Sequence, residues 1–137
     1  MQSPKSNSKR KASTPKVEDS LGRIQPQELD FERSVLGALL IEKDAYSLVS
    51  DILTPEAFYD PKNQKVYRAI RTLNLAQNPA DILTVSEQLR VDGVFEEIGG
   101  PAYLSYLTQN IVSASHIEYH ARVIAQKATA RELIDYS

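Results

Sequence analysis

The stretch QELDFERSVLGALLIEKDAYSLVSDIL, residues 27–53, decides the fold because its apolar residues recur at three- and four-residue spacing. One helix is predicted in its first half, with Phe31 beside an apolar stripe made of Leu29, Val35, Leu36, Leu39 and Leu40. A second, short helix is predicted next, with Asp44 as its N-cap. Its inward face is formed by Ala45, Leu48, Val49, Ile52 and Leu53. Because such stripes must be buried against other elements, the stretch predicts a helical bundle.

Two further helix starts lie directly downstream, and each is a capping residue followed by proline. These are the Thr-Pro pair at 54–55 and the Asp-Pro pair at 60–61. Proline is favoured in the first turn because its missing N–H would have no helical partner there. The second start predicts a longer helix that runs to about residue 76, where the Asn-Pro pair at 78–79 breaks it.

The remaining chain contains signals for three more helices. Thr84 and Glu87 have the spacing of a capping box, and the Asp-Gly pair at 92–93 predicts the end of that helix. The segment Gly-Gly-Pro at 99–101 predicts a stop and a new start. The last helix is predicted from about residue 116, with Ser113 or Ser115 as its cap.

The last helix carries two apolar faces. One face is formed by Ile117, Ala121, Ile124 and Ala128, and the other by Tyr119, Val123, Ala130 and Leu133. A helix that is apolar on two sides is either deeply buried or meets two partners. Its pattern is still in phase at Ser137, which predicts that the helix continues beyond that residue. The fold class predicted is all-α, a compact bundle of five to seven mostly short helices ending in this longer one.

Composition narrows the class of protein further. The 137 residues suffice for one domain with its own core, and the absence of cysteine excludes disulfides and cysteine metal sites. No apolar run approaches the ~18 residues that span a bilayer, and the polar N-terminus lacks the apolar region of a secretory signal. A cytoplasmic protein without membrane contact is therefore predicted.

The charge is distributed unevenly along the chain. Residues 1–16 hold five basic residues and no acidic one, which leaves 11 basic and 18 acidic residues, a formal charge of −7, on the rest. We predict that residues 1–24, rich in Ser, Lys and Pro, form a disordered basic tail and that the folded domain spans 25–137. The tail is either a solvated extension or an arm that touches nucleic acid or anionic partners.

Motifs for catalysis and cofactor binding are missing from the sequence. The five glycines form neither a phosphate-binding loop nor a dinucleotide fingerprint, and no serine lies in a nucleophile elbow. His116 and His120 share a helix face, but no third ligand accompanies them, so surface or packing roles are favoured over a metal site. The aromatic residues are assigned to the core rather than to base stacking because no interleaved Lys or Arg accompanies them. An independent enzyme is thus not expected.

Several ordered blocks of sequence carry a family resemblance. They are residues 26–37, 53–59, 63–70, 81–89, 97–104 (EIGGPAYL), 117–124 and 131–134. In this order and spacing, residues 25–136 resemble the N-terminal domain of bacterial replicative DNA helicases of the DnaB family. The family follows this domain with a second hairpin helix, a linker and a RecA-like ATPase domain. The resemblance thus implies that ATP, Mg²⁺ and DNA unwinding belong to a longer parent protein, and that no cofactor binds residues 1–137.

The resemblance also implies a role in assembly. In the family this domain forms a collar on a hexameric ring, pairs neighbouring subunits and helps to dock primase and, in some systems, a helicase loader. The last helix then resembles the first arm of a helical hairpin. The candidate partner contacts are Ile117, Tyr119, Val123, Ile124 and Leu133. The alternative for these residues is the intramolecular core, and the alternative for the chain is a stand-alone helical DNA-binding module that uses the basic arm.

Overall fold

The computed structural model describes residues 26–109 and 116–135. In these two ranges it contains six α-helices and one 3₁₀ turn, at Pro55–Ala57, and no strand. The helices are α1 (Pro26–Ile41), α2 (Ala45–Val49), α3 (Pro61–Leu75), α4 (Ile82–Val91), α5 (Gly100–Gln109) and α6 (Ile117–Asp135). The prediction of an all-α bundle is confirmed. The predicted tail and the Ser113 or Ser115 cap lie outside the described residues.

Helix α1 is the centre of the bundle. It packs against α6, α5 and α3, while α4 packs chiefly on α3. Its stripe from Val35 to Leu40 is buried as predicted, and Leu36 is fully enclosed. The core continues through Phe58, Tyr67 and Ile70. A helix lined on three sides by others must be apolar over most of its circumference, which accounts for the unbroken burial from residue 34 to 40.

One inward assignment was wrong. Leu48, expected on the inner face of α2, is 43% exposed. It lies near the end of a helix of five residues, where few neighbours remain to cover a side chain. The preference of the aromatic residues for the core holds for Phe58 and Tyr67, whereas Tyr59, Tyr106 and Tyr119 keep much of their surface in water.

The helix starts show which local signals form the expected hydrogen bonds. The carboxylate of Asp60 accepts a hydrogen bond from the backbone N–H of Lys62 at 2.9 Å, as the Asp-Pro pair predicts. Asp44 and Thr54 occupy their predicted N-cap positions, but neither side chain makes a capping hydrogen bond. Asp44 has φ −101° and ψ 9° instead of the extended backbone from which a capping side chain reaches the N–H groups of the first turn. The helix after Thr54 has only three residues, and the first of them, Pro55, has no N–H.

The predicted capping box of α4 was placed one turn too late. The helix begins at Ile82, and its N-cap is Asp81, whose carboxylate accepts from the N–H of Thr84 at 2.9 Å. The Thr84 hydroxyl in turn accepts from the N–H of Asp81 at 2.9 Å. Glu87 instead forms an exposed ion pair with Arg90 at 3.2 Å. Asp81 offers an acceptor one turn earlier, so residues 82–84 join the helix.

Candidate interaction surface on the last helix

Helix α6 lies antiparallel along α1, and its inner face belongs to the core. Ile117 and Ile124 are 2% and 4% exposed, and Ala121 is fully buried between them. Burial of each isoleucine side chain is worth about 1.5–3 kcal/mol. The first of the two predicted apolar faces is thus confirmed, and it attaches the helix firmly to the domain.

Two polar or aromatic contacts fix the position of α6 on α1. The ring of Phe31 stacks on the imidazole of His120, with centroids 4.4 Å apart. One turn earlier on α1, the carboxylate of Glu28 forms an ion pair with the ammonium group of Lys127 at 3.3 Å. Together they set the register of the two helices over nearly two turns.

Arg131 connects α6 to the segment between α2 and α3. Its guanidinium donates a hydrogen bond to the backbone carbonyl of Ala57 at 3.1 Å. It also lies over the ring of Tyr59, 5.2 Å from the centroid, in a cation–π contact. The hydrogen bond joins residues 74 positions apart, so the carboxyl-terminal half of α6 is held to the body of the domain.

The buried carboxylate of Glu32 organises the same segment from α1. It accepts hydrogen bonds from the backbone N–H groups of Tyr59 at 2.7 Å and Asp60 at 3.3 Å. A third comes from the side-chain amide of Asn63 at 2.9 Å. Burial raises the pKa of Glu32, and the hydrogen bonds and the nearby Arg131 charge offset only part of that rise. Glu32 therefore replaces water for backbone groups that the bundle encloses.

Asn63 extends this network to α5. Its side-chain oxygen accepts a hydrogen bond from the hydroxyl of Tyr103, whose ring packs beside Lys62 at 4.5 Å from the centroid. Burial raises the pKa of Tyr103, so the phenol keeps its proton and remains a donor. Helices α1, α3 and α5 are thus joined through one chain of side-chain hydrogen bonds.

The outer face of α6 presents apolar side chains to water. Tyr119 is 61% exposed and Leu133 is 65% exposed, and Ile134 next to it is also open. Val123 is half-buried against Phe31 and Glu32. Of the five predicted contact residues, Tyr119, Val123 and Leu133 have surface to offer a partner. The side chains of Ile117 and Ile124 lie in the core, which is the alternative that the sequence left open for them.

The histidine pair has a packing role in the structure. His120 is buried against Phe31, and His116 lies 6.4 Å from it between ring centroids. Burial, and secondarily the charge of His116, lowers the pKa of His120. In the described part of the chain, no group of three or more His, Cys, Asp or Glu residues could hold a metal ion. Over the same residues no helix has the length and apolarity for a bilayer crossing.

Sequence reasoning missed the polar network of Glu32, Asn63 and Arg131. A signal for Glu32 was present, because it lies three and four residues before Val35 and Leu36 and so shares their inward face. A carboxylate in an apolar stripe requires a partner when it is buried. Nothing local pointed to Asn63 or Arg131, which reach it only through the packing of α3 and α6.

The fold and this surface define an all-helical domain in which a terminal helix, anchored by one face, displays apolar side chains on the other. That is the architecture of a protein–protein interaction domain. The family described as DnaB-like helicase N-terminal domain matches residues 24–126, and the chain belongs to this family.

Known proteins similar to the chain agree with this assignment. The replicative DNA helicase DnaB of Rhodothermus marinus is 48% identical over 110 residues, which is 80% of this chain and 12% of that protein. The crystal structure of the N-terminal domain of DnaB helicase from Mycobacterium tuberculosis superposes with a TM-score of 0.75 at 40% identity, covering 78% of each chain. The chain thus spans a small part of the full-length relative and most of the isolated domain.

A second solved structure shows a DnaB-like replicative helicase and its interactions with primase. Its TM-score is 0.68 at 25% identity, over 77% of this chain and 24% of that one. The similarity therefore extends to this domain as it occurs within a longer helicase.

Proposed function

We propose that this domain is the assembly and docking part of a replicative DNA helicase. In this proposal it supports the collar of a ring-shaped parent, pairs with neighbouring subunits and docks primase, with a helicase loader as a further partner. ATP, Mg²⁺ and DNA are bound by other parts of the parent, which unwinds DNA at the replication fork in the cytoplasm. The family membership and the helicase–primase neighbour support this role.

One observation carries the proposal to specific residues. Tyr119 and Leu133 are exposed on a helix that is fixed to the domain by its opposite face. Exposed aromatic and aliphatic side chains on a rigid helix provide the anchors that protein interfaces use, at little cost in conformational entropy. This surface is therefore the proposed contact for another subunit or for primase.

The test measures molar mass by light scattering over a concentration series, first of the chain alone and then with the carboxyl-terminal domain of the cognate primase. We expect a monomer or weak dimer alone and a heavier complex with primase. The double variant Tyr119→Ser and Leu133→Ser should weaken complex formation by at least about tenfold, as expected on loss of two anchors.

The matched control is Leu83→Ser with Val91→Ser, which removes two side chains of similar exposure from α4. It should leave the complex intact. Far-UV circular dichroism checks that each variant is folded, since Tyr119 also touches the ring of Phe31. A complex that survives the α6 variant as well as the control excludes this surface as the docking site.

The stand-alone DNA-binding module is not favoured. The family match covers most of the folded residues, and the chain outside residues 1–16 carries a formal charge of −7. Phosphate neutralisation dominates affinity for DNA, and a net negative body opposes it. DNA affinity measured against salt, with and without neutral residues in place of the basic ones in residues 1–16, distinguishes tail binding from binding by the body.

A further inference from the structure

A groove lies at the end of the bundle remote from the start of α1. Its cavity volume is about 610 Å³, and it opens between the end of α1 and the loop that joins α3 to α4. The apolar part of its lining comes from Leu39, Leu40, Ile41, Tyr46, Pro79 and Ala80. We call it the end groove. Its volume is that of a site for a few side chains of an extended peptide.

Hydrogen bonds fix the wall of the end groove that is formed by the loop between α3 and α4. Helix α3 ends in a Schellman motif, in which Gln77 has a φ of 61° and the N–H of Asn78 donates to the carbonyl of Leu73 at 2.8 Å. The loop then enters α4 through the capping box of Asp81 and Thr84. A ligand that binds against this preformed wall does not first have to order the backbone of the loop.

Acidic side chains surround the mouth of the groove. Glu42, Asp44 and Asp81 line it, against the single basic side chain of Lys43. The carboxylate of Asp44 makes no capping hydrogen bond with α2, so it stays available to a ligand. An apolar floor with a net negative rim is complementary to a peptide that carries lysine or arginine, whose aliphatic stems cover apolar surface while their charged ends meet carboxylates.

We propose that the end groove is the docking site of this chain's own basic arm, residues 5–16. The arm supplies five cationic side chains and no acidic one, at Lys5, Lys9, Arg10, Lys11 and Lys16. The charge complementarity thus exists within a single molecule.

The arm is long enough to reach the groove. Helix α1 has 16 residues and spans about 24 Å from its start to the groove. Nine residues lie between Lys16 and Pro26, and the ten Cα–Cα steps that connect the two can extend over at most about 33–36 Å. Lys16 can therefore reach the groove mouth. The residues before Lys16 can reach it too, because a longer length of chain connects them to α1.

Tethering makes a weak contact sufficient. A short tether holds the arm at an effective concentration on the order of millimolar, so an intrinsic affinity on the order of millimolar occupies the groove about half of the time. The contact is electrostatic and lies at the surface, so it weakens as the Debye length falls from ~10 Å at about 0.1 M salt to ~3 Å at about 1 M.

The test places a nitroxide on the arm and measures paramagnetic broadening of amide NMR signals in the full chain. Since the chain has no cysteine, Ser13→Cys provides a single labelling site. At about 0.1 M salt, the amide signals of Glu42, Lys43 and Asn78 should lose most of their diamagnetic intensity, because even half occupancy brings the nitroxide close, and they should recover at about 1 M.

Two variants with equal charge change separate the groove from the general surface. E42Q with D44N removes two charges from the groove mouth, and D92N with E96Q removes two exposed charges beyond the other end of α4. Of these two variants, only E42Q with D44N should abolish the broadening. The arm variant K9Q with R10Q and K11Q should also abolish it. Equal broadening in both acidic variants, or broadening spread evenly over the surface, overturns the proposal.

A mixture of nitroxide-labelled chain with unlabelled, isotope-enriched chain tests whether the arm acts within one molecule. We expect no broadening of the groove signals in this mixture. Broadening of the same signals there would assign the groove to the arm of a second copy and overturn docking within the chain.

Discussion

The side-chain amide of Asn63 on α3 donates a hydrogen bond of 2.9 Å to the carboxylate of Glu32 on α1, and both side chains are almost fully buried. Because the same carboxylate receives the N–H groups of Tyr59 and Asp60, it satisfies three donors that solvent cannot reach freely. The segment that carries Tyr59 is also the one that Arg131 of α6 contacts. The position of the proposed docking helix thus depends on a polar group in the core.

Glu32→Ala should lower the free energy of unfolding by at least about 2 kcal/mol, because each buried donor left without an acceptor costs roughly 1–3 kcal/mol. Urea unfolding followed by circular dichroism measures this. Glu132→Ala, which removes an exposed glutamate from α6, should change stability by less than about 0.5 kcal/mol. Equal effects of the two substitutions would show that the Glu32 hydrogen bonds contribute nothing net.

The capping box of α4 gives a second prediction. Asp81→Ala should cost about 0.5–2 kcal/mol, since it removes the acceptor for the N–H of Thr84. Glu87→Ala removes only an exposed ion pair with Arg90 and should cost less than about 0.5 kcal/mol. Chemical denaturation of both variants ranks them, and the reverse ranking would return the cap to the Thr84–Glu87 box expected from sequence.

Gln77 adopts a left-handed backbone conformation, with a φ of 61°, at the end of α3. Gln77→Gly should therefore stabilise the protein by up to about 1 kcal/mol, because glycine has no Cβ to strain there. Ala76→Gly is the matched control, since Ala76 has a φ of −87° and glycine gains nothing at that position. Thermal unfolding reports both, and a loss of stability in the Gln77 variant would contradict the strain argument.

The lowered pKa of His120 predicts a dependence of stability on pH. Burial against Phe31 disfavours the imidazolium, so in this range the unfolded state takes up a proton before the folded state does. The contribution of His120 to stability is thus complete above its unfolded pKa of ~6.5 and is lost as pH falls through its folded pKa. The difference in unfolding free energy between wild type and His120→Gln should shrink as the solution is acidified below about pH 6.5.

The control for this effect is His116→Gln, which removes the exposed imidazole next to His120 but leaves its contact with Phe31. This variant should keep most of the pH dependence, because burial is the main cause of the lowered pKa of His120. A wild-type protein whose pH profile matches that of His120→Gln would contradict the prediction.

The sequence by itself determined the helices and the family. The apolar periodicity predicted the first residue of α1 to within one position, and the Asp-Pro pair marked the start of α3 correctly. These signals succeed because the spacing of apolar residues and the hydrogen bonds of a cap act within one or two turns of helix. The two apolar faces of α6 were also visible in the sequence, together with the ordered blocks that identify the domain.

Tertiary structure alone decided which of those faces meets the core. Sequence could not separate Ile117 and Ile124 from Tyr119 and Leu133, because both sets have helical spacing and the choice depends on where α1 lies. The same holds for the partners of Glu32 and Arg131, which are 31 and 74 residues away. The end groove likewise exists only because α1 and the loop after α3 end side by side. Such contacts join distant parts of the chain, so the packing of the helices, and no local pattern, creates them.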